Sequence, residues 1–472
     1  MKNLLMVILL TLFTLSLAAC GSGGSGDSVI GSNSSTGEVV TGTGGGTTTG
    51  TSSLGDLVDI GDYLGAAGDA WYDTETVDIN LSKKIIGSSM DIPILYDPNS
   101  PDSLTVIPGH GSTYDDYYYQ KATPSENVFK TEEVVKINDD GLIIGNTFTK
   151  SGESESRAFV YDSVNHIFID LAPPNWLDSN NKRQFGSYSH VVDINENGAV
   201  VLTAEDEDGT WAYYWNGSSY DTVDDLQTDS GATIAAFQVP RLIRLAAIIG
   251  ATGSEAVALN DTGQAVANSD NTAVFSDLTN SGSASLNSLG SGTTTAIDIN
   301  NNGHVVGTSG SEGFFWRGGV MYPISNPSGA SIDIVDINNN DYVVGNSGGL
   351  AFIWHLNSSG NGVFQSLGSL GGGSSTAVAM NDLGMVVGYS TTTNTYSEGN
   401  VTATVVHGFL WHDGIMYDLG AHSPPDYTYP FNPDFYFSQA RAINEAGDVT
   451  GISYSINAHD RGFTLTPVFP AN

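Results

Sequence analysis

A short phrase, Asp-Ile-Asn or a close variant followed by a turn and an apolar strand, recurs eight times along the chain. This repetition constrains the fold more than any other feature, because each repeat buries its apolar face only against its neighbours. The repeat asparagines are Asn80, Asn138, Asn195, Asn260, Asn300, Asn338, Asn381 and Asn444. They lie 38 to 65 residues apart, which indicates a unit of about 40 residues with insertions.

Each repeat contains the same succession of four short strands. The copy from Ala296 reads AIDINNNGHVVG, in which alternating apolar residues before the asparagine indicate a half-buried strand. The asparagine and the glycine three positions later predict a tight turn, since Asn bonds its own backbone and Gly adopts positive φ. A second strand, an aromatic strand (residues 314–316) and a fourth segment (residues 416–420 in a later copy) complete the unit. Four strands in about 40 residues are typical of a propeller blade.

The two ends of the array predict a closed ring. The eighth unit stops after its aromatic strand at residues 462–465, whereas residues 56–61 form an isolated fourth strand before the first unit. Exchange of that N-terminal strand would complete the last blade and leave only short sheet edges. We therefore expect an all-β, closed β-propeller of four-stranded blades, with eight blades, or seven if the divergent first unit is a lid. An open solenoid is the alternative architecture.

The first twenty residues resemble a bacterial lipoprotein signal. Lys2 precedes an apolar run over residues 4–17, and the phrase Leu-Ala-Ala-Cys ends at Cys20. A charged start, an apolar run and small residues before a cleavage site are typical of an export signal, and an ordinary secretory signal is the alternative. The resemblance implies that residues 1–19 are removed, that Cys20 carries acyl chains such as palmitate into the lipid bilayer, and, since Gly21 follows it, that the protein reaches the outer membrane.

Composition separates a tether from the propeller and excludes some partners. Residues 20–55 are almost entirely Gly, Ser and Thr with a few valines, which predicts a flexible tether and leaves residues 56–472 as the repeat domain.

The formal net charge of −37, from 52 acidic and 15 basic side chains, disfavours nucleic acid as a partner. Because Cys20 is the only cysteine, an intrachain disulfide is excluded. We expect a monomer.

Residues 377–420 resemble the repeat of a bacterial extracellular family named for its His-Ala-Phe motif. That family's unit runs Ala-Ile-Asn-Asp-x-Gly-x-Val-Val-Gly, then His-Ala-Phe-Leu-Trp-x-x-Gly-x-Met-x-Asp-Leu-Gly; the segment from His407 to Gly420 departs from it only at Gly408. The similarity covers about residues 56–466, with the motif histidine replaced in other units by Arg157, Gly313 and Arg461. It implies an exported, β-rich repeat protein with no established activity.

Four repeats carry an aspartate two positions before the asparagine, at Asp78, Asp193, Asp298 and Asp336. The resulting Asp-x-Asn-x-Asn phrases resemble the start of a calcium loop, which also needs a bidentate carboxylate at its twelfth position. Ala204, Ser309 and Ser347 stand at that position. The sequence therefore favours turn geometry and no cofactor, with calcium binding as the alternative. No histidine cluster, nucleophile elbow or phosphate loop predicts a metal or catalytic site.

Aromatic residues divide into a core set and a candidate binding set. One position of the repeat is tryptophan in four units, which predicts core packing between blades: Trp215, Trp316, Trp354 and Trp411. Two insertions between units carry further aromatic residues, and loops on a rigid scaffold often carry function. The candidate ligand-binding residues are Tyr114, Tyr117, Tyr118, Tyr119, Tyr427 and Tyr429.

The sequence thus predicts a surface-anchored binding or scaffold module for a protein or a glycan, and not an enzyme. The alternative is an exported enzyme that acts on polysaccharide through carboxylates gathered from different blades at the propeller mouth.

Overall fold

The structure is a computed structural model, and the part of the chain that it describes is built of β-strands. The described residues are 38–41, 49–51, 54, 58–60, 74–89, 92–100, 104–107, 130–148, 156–171, 175–177, 183–185, 188–223, 226–227, 233–234, 237–245, 251–280, 282–286, 288–290, 292–398, 401–421, 436–455 and 460–469. All of them belong to one compact unit, residues 35–426 with 431–472. None of them forms an apolar helix of membrane-spanning length.

Antiparallel strands make up every sheet of this unit. In chain order they are β1 (Glu38–Thr41), β2 (Thr49–Thr51), β3 (Val58–Asp59), β4 (Thr74–Ile79), β5 (Ile85–Ser89), β6 (Ile92–Tyr96), β7 (Leu104–Val106), β8 (Lys130–Ile137), β9 (Leu142–Phe148), β10 (Ser156–Asp162), β11 (Ile167–Asp170), β12 (Asn175–Leu177), β13 (Arg183–Phe185), β14 (Ser189–Ile194), β15 (Val200–Asp206), β16 (Gly209–Trp215), β17 (Tyr220–Val223), β18 (Leu226–Gln227), β19 (Thr233–Ile234), β20 (Phe237–Pro240), β21 (Ile243–Arg244), β22 (Glu255–Leu259), β23 (Gln264–Ser269), β24 (Thr272–Asp277), β25 (Gly282–Ser285), β26 (Thr294–Ile299), β27 (Val305–Ser309), β28 (Glu312–Arg317), β29 (Val320–Ile324), β30 (Ile332–Ile337), β31 (Val343–Ser347), β32 (Leu350–Leu356), β33 (Gly362–Gly368), β34 (Gly371–Met380), β35 (Val386–Glu398), β36 (Val401–His412), β37 (Ile415–Asp418), β38 (Tyr436–Ile443), β39 (Val449–Ser455) and β40 (Arg461–Leu465).

Eight of these sheets are the blades of a propeller. Named one to eight, and written from the central channel outward, the blades are β4-β5-β6-β7, β8-β9-β10-β11, β14-β15-β16-β21, β22-β23-β24-β25, β26-β27-β28-β29, β30-β31-β32-β33, β34-β35-β36-β37 and β38-β39-β40-β3. Each innermost strand contacts the innermost strand of the next blade, and β38 contacts β4. The predicted closed, all-β propeller with eight blades is confirmed, and the seven-bladed and solenoid alternatives are wrong.

The ring closes through the N-terminal strand, as the sequence predicts. In β3, Val58 pairs with Thr464 and Asp59 with Phe463, so β3 is the outermost strand of blade eight. The backbone N–H of Ile60 continues this pairing by donating to the carbonyl of Gly462 at 3.1 Å.

Part of the segment predicted as a tether also joins the blades. Strand β1 pairs with β37 at the outer edge of blade seven, and β2 pairs with β1. Leu54 is 2% exposed and packs with residues of blades seven and eight, such as Leu410 and Phe463. The ordered body therefore includes residues N-terminal to the boundary expected at residue 56.

The repeat turn has the predicted geometry. The third residue after each repeat asparagine has positive φ, as at Gly198 (75°) and Gly303 (73°). Lys83 (62°) and Asp341 (63°) take this conformation in two turns without glycine. Positive φ is uncommon for side chains larger than glycine, so these two positions need a further stabilising contact.

A β-bulge in every innermost strand sets the direction of its side chains. In β26 the pairing shifts between Ala296 and Asp298, and the equivalent shift occurs in the other seven blades. Ala296 and Ile299 can therefore share one core cluster although three residues separate them, which a regular two-residue period would not allow. The bulge turns Asp298 away from that core.

The core lies between successive blades. The four repeat tryptophans are buried, with exposed fractions of 1% to 7%, as the sequence predicts: Trp215, Trp316, Trp354 and Trp411. Gly307 shows why the second strand carries a glycine at its third position, because a Cβ there would lie 2.0 Å from the carbonyl oxygen of Thr295. This close approach occurs beside the bulge of the innermost strand.

Candidate functional site

The repeat asparagines form a closed ring of hydrogen bonds around the central channel. Each Asn side chain donates from Nδ2 to the backbone carbonyl of the asparagine in the next blade, at 2.8 to 3.1 Å, and Asn444 donates to Asn80 to complete the circle. The same side chain accepts from the backbone N–H four residues later, as from Leu142 to Asn138 at 2.9 Å. One residue type thus forms the turn and ties the blades together.

A second belt of hydrogen bonds surrounds the mouth of the channel. In seven of the eight repeats, the residue after the asparagine accepts the backbone N–H of its equivalent in the preceding blade, for example Asp382 from Asn339 at 2.7 Å. The accepting side chains are Asp139, Glu196, Asp261, Asn301, Asn339, Asp382 and Glu445. Burial raises the pKa of the Glu196 and Glu445 carboxyls above their ordinary value.

The belt is interrupted where the ring closes, because the apolar side chain of Leu81 cannot accept a hydrogen bond from the backbone of blade eight. An ion pair replaces the missing bond: Lys83 Nζ donates to Asp448 Oδ1 and to Thr466 Oγ1, each at 2.8 Å. Asp448 is almost fully buried, and its pKa is lowered because hydrogen bonds from Lys83, Thr466 and Asn444 outweigh burial. This contact accounts for a lysine at a position that six of the other seven repeats fill with glycine.

Below the belt, four aspartates converge on the channel. Each accepts the N–H of its own following residue and the N–H of the residue before the asparagine in the next blade. For Asp193 the donors are Ile194 and Leu259, both at 2.9 Å. The corresponding bonds to the next blade run to Asp78 from Ile137, to Asp298 from Ile337 and to Asp336 from Met380. These carboxylates connect adjacent blades, while the turn that follows each of them is formed by the repeat asparagine.

Lys136 takes the same repeat position in blade two and supplies the positive charge of this layer. Its Nζ donates to Asp193 Oδ1 at 2.7 Å. The side chain lies only partly inside the protein, since 43% of it remains open to water. Burial alone would lower the pKa of Lys136, but Asp193, Asp78 and Asp298 together raise it above the ordinary value.

Asp298 and Asp336 form a hydrogen-bonded carboxyl pair between blades five and six. Burial, followed by the charge and the hydrogen bond of Asp336, raises the pKa of Asp298 well above its ordinary value. Burial also raises the pKa of Asp336, although hydrogen bonds from Asp298, Met380 and Ile337 oppose it. Two carboxyl oxygens form a hydrogen bond only when one of them carries a proton.

The channel mouth encloses a cavity of about 190 Å³. Its walls include Lys136, Asp193, Asp298 and Asp336, together with side chains of the belt. Among the described residues, no group of three or more His, Cys, Asp or Glu side chains is arranged to hold a metal ion. The aspartates that begin the calcium-like phrases instead bond backbone N–H groups.

Most of the residues singled out as functional from the sequence lie outside the described part of the chain. These are Cys20 of the lipid anchor and the candidate ligand-binding residues Tyr114, Tyr117, Tyr118, Tyr119, Tyr427 and Tyr429. The motif histidine is described: His407 Nδ1 lies 2.9 Å from Asp418 Oδ1 of the neighbouring strand. It therefore binds the Asp of the Asp-Leu-Gly phrase within blade seven.

Sequence reasoning missed Lys136 and the convergence of the four aspartates. The sequence did contain a signal for them, because all five residues occupy the same position of the repeat, two places before the asparagine. In a closed propeller, equivalent positions of the innermost strands meet at the axis. The expected ring therefore already implied that these charges would approach each other.

Comparison with known proteins found similar solved structures but no match to a family or to a curated sequence. Similar solved structures include the Dos1 propeller (11% identity, TM-score 0.40, over 84% of this chain and 93% of that one) and the RRP9 WD40 repeats (12%, 0.34, 66% and 86%). Another is the β-propeller domain of the Trilobed protease from Pyrococcus furiosus (9%, 0.37, 84% and 93%).

Proposed function

We propose that this chain is an exported lipoprotein, held at the outer membrane by Cys20, whose propeller is a binding or scaffold module for a protein or a glycan. The observation that carries the binding role is the closed asparagine ring. It fixes all eight blades to one another by buried hydrogen bonds, and so provides a rigid frame. Connections that leave such a frame are well placed for recognition.

The long connections after β7 and after β37 contain the tyrosines that we propose as the contact surface. Tyrosine combines a large apolar face with a hydroxyl group at low conformational cost, and it suits both protein and glycan contacts. The strongly acidic composition favours a neutral or cationic partner over an anionic polymer.

The alternative, a polysaccharide-acting enzyme, requires a different carboxyl geometry. Glycosidases of the common two-carboxyl type place their groups about 5 Å or more apart. Asp298 and Asp336 are in hydrogen-bond contact, and all four channel aspartates accept backbone N–H groups. This arrangement supports a structural role for the channel carboxyls.

A glycan array and a pull-down from cell-envelope extract would test the binding role. We expect ligand capture to be lost when Tyr114, Tyr117, Tyr118 and Tyr119 are changed to alanine, or when Tyr427 and Tyr429 are. Tyr342→Ala serves as the control, because this tyrosine is exposed in a repeat turn. Turnover of a polysaccharide that is abolished by Asp298→Asn or Asp336→Asn would contradict the proposal and support the enzyme.

Metabolic labelling with an alkyne fatty acid would test the anchor. Label and membrane association should both disappear in Cys20→Ser. Retention of the label in that variant would show that Cys20 is not the acylated residue.

A further inference from the structure

The channel layer contains more half-buried carboxylates than its one ammonium group can balance. Lys136 is the only described cation that acts on Asp78, Asp193, Asp298 and Asp336, and carboxylates held partly out of water are costly unless they are paired or protonated. Lys136 bonds directly to Asp193 on the side of blades two and three. On the side of blades five and six no described cation touches the aspartates, and the two carboxyls bond each other.

We propose that Asp298 and Asp336 hold one shared proton at neutral pH, and that this proton is a pH-sensitive latch between blades five, six and seven. The latch is defined by three bonds. They are the carboxyl–carboxyl bond, the bond from Ile337 N–H to Asp298 Oδ2 at 3.2 Å and the bond from Met380 N–H to Asp336 Oδ2 at 2.9 Å. Loss of the proton would leave two adjacent negative charges and break the first of these bonds.

The surroundings of the pair are almost entirely acidic. The charged groups that share its cavity are Asp193 and Lys136 in the layer and Glu196, Asp261, Asp382 and Glu445 in the belt. Among these only Lys136 is cationic, and it is bonded to Asp193. Since like charges disfavour ionisation, the environment keeps the proton on the pair in a pH range in which an exposed aspartate has already lost it.

The proton links folding to pH in a fixed direction. The folded chain binds this proton and the unfolded chain, with ordinary aspartates, releases it, so the stabilisation is complete in acid and is lost as pH rises through the raised pKa of the pair. The propeller should therefore be more stable toward pH 5 than toward pH 8. This property is independent of the binding role proposed above.

Thermal unfolding of the whole folded protein across pH 5 to 8 tests the latch. In Asp298→Asn the amide N–H can donate to Asp336 without a titrating proton, so we expect the fall in Tm between pH 5 and 8 to be at most half that of the wild type. The absolute Tm should drop as well, because the amide loses one acceptor for a backbone N–H.

Asp193→Asn is the matched control. It holds the same repeat position and accepts two equivalent backbone bonds, but its further partner is Lys136 instead of a carboxyl group. It should keep the wild-type fall in Tm. An Asp298→Asn profile parallel to the wild type would overturn the latch.

Infrared spectroscopy of the wild type gives a test that does not depend on a variant that folds poorly. A neutral carboxyl group has its own C=O stretching band, distinct from that of carboxylate. At pH 7 we expect a band equivalent to one protonated carboxyl, which disappears in alkali before global unfolding. Absence of any neutral-carboxyl band at pH 7 would refute the shared proton.

Discussion

The two halves of the channel layer accommodate half-buried carboxylates by different means. On the side of blades one to three, Lys136 lies among Asp78 and Asp193 and supplies a fixed positive charge. On the side of blades five to seven, Asp298 and Asp336 bond to each other, and no described lysine or arginine forms a hydrogen bond with them; Lys136 acts on them only at longer range. The backbone bonds are the same on both sides, so the difference lies in the counter-charge alone. The ammonium group keeps its positive charge at every pH from 5 to 8, whereas a proton shared by two carboxyl groups is lost as the pH rises.

A core substitution outside the layer should have the largest effect and leave this comparison unchanged. Trp411 is buried between blades, and Trp411→Ala should cost about 3–5 kcal/mol in free energy of unfolding. Urea unfolding at pH 5 and at pH 8 should give the same loss. If the loss depended strongly on pH, then any weakening of the propeller would change its pH-dependent stability, and such a change could not be assigned to Asp298 and Asp336.

Breaking the asparagine ring should cost about 2–3 kcal/mol in either half, because a buried carbonyl and a turn N–H each lose their partner. Asn138→Ala tests the lysine side and Asn338→Ala the carboxyl side, since both side chains make the same bonds. Equal losses in urea would confirm a common frame. Asp140→Ala, at an exposed position of the turn, should change little.

Removing the lysine should convert one half into a pH-dependent site. Lys136→Met leaves Asp78 and Asp193 uncompensated, and breaking a buried pair costs about 3–5 kcal/mol. Water reaches 43% of the Lys136 side chain, so we expect about 1–2 kcal/mol at pH 7. The loss should shrink at pH 5, because burial already raises the pKa of Asp78 and this carboxyl can take up a proton in place of the ammonium charge. Equal losses at both pH values would argue that Lys136 acts through packing.

The smallest effect should come from Lys136→Arg, which keeps the charge and changes its shape. We expect a change below about 1 kcal/mol in either direction and the same dependence of Tm on pH as in the wild type. A large loss would show that the compact ammonium group, and not its charge, is what this half of the layer requires.

The elements that could be predicted from the sequence are those whose cause is local. The asparagine turn, the positive φ of Gly303 and the burial of Trp354 each follow from residues within one repeat. The closing strand β3 could be predicted because the last repeat lacks a strand that the first residues supply. In these cases the two-residue period of apolar side chains, or a single turn-forming residue, is enough to predict the element.

The channel could not be predicted in the same way, because it depends on a bulge and on proximity across repeats. A regular strand would place Asp298 on the same face as Ala296, whereas the pairing shift separates them. The bond between Asp298 and Asp336 joins residues that are unremarkable in sequence and become neighbours only when adjacent blades pack. Their shared repeat position places both near the axis of the predicted ring, but it does not show that their carboxyl groups bond each other.

The strand exchange in blade eight has a consequence for truncated chains. Strand β3 (Val58–Asp59) precedes every other strand of the eight blades, while its partner β40 (Arg461–Leu465) follows all of them. The circle can therefore close only when both ends of the repeat array are present. A product truncated before residue 461 would lack β40 and leave β3 without a partner, and the incomplete blade eight would expose the facing surfaces of blades one and seven to proteolysis.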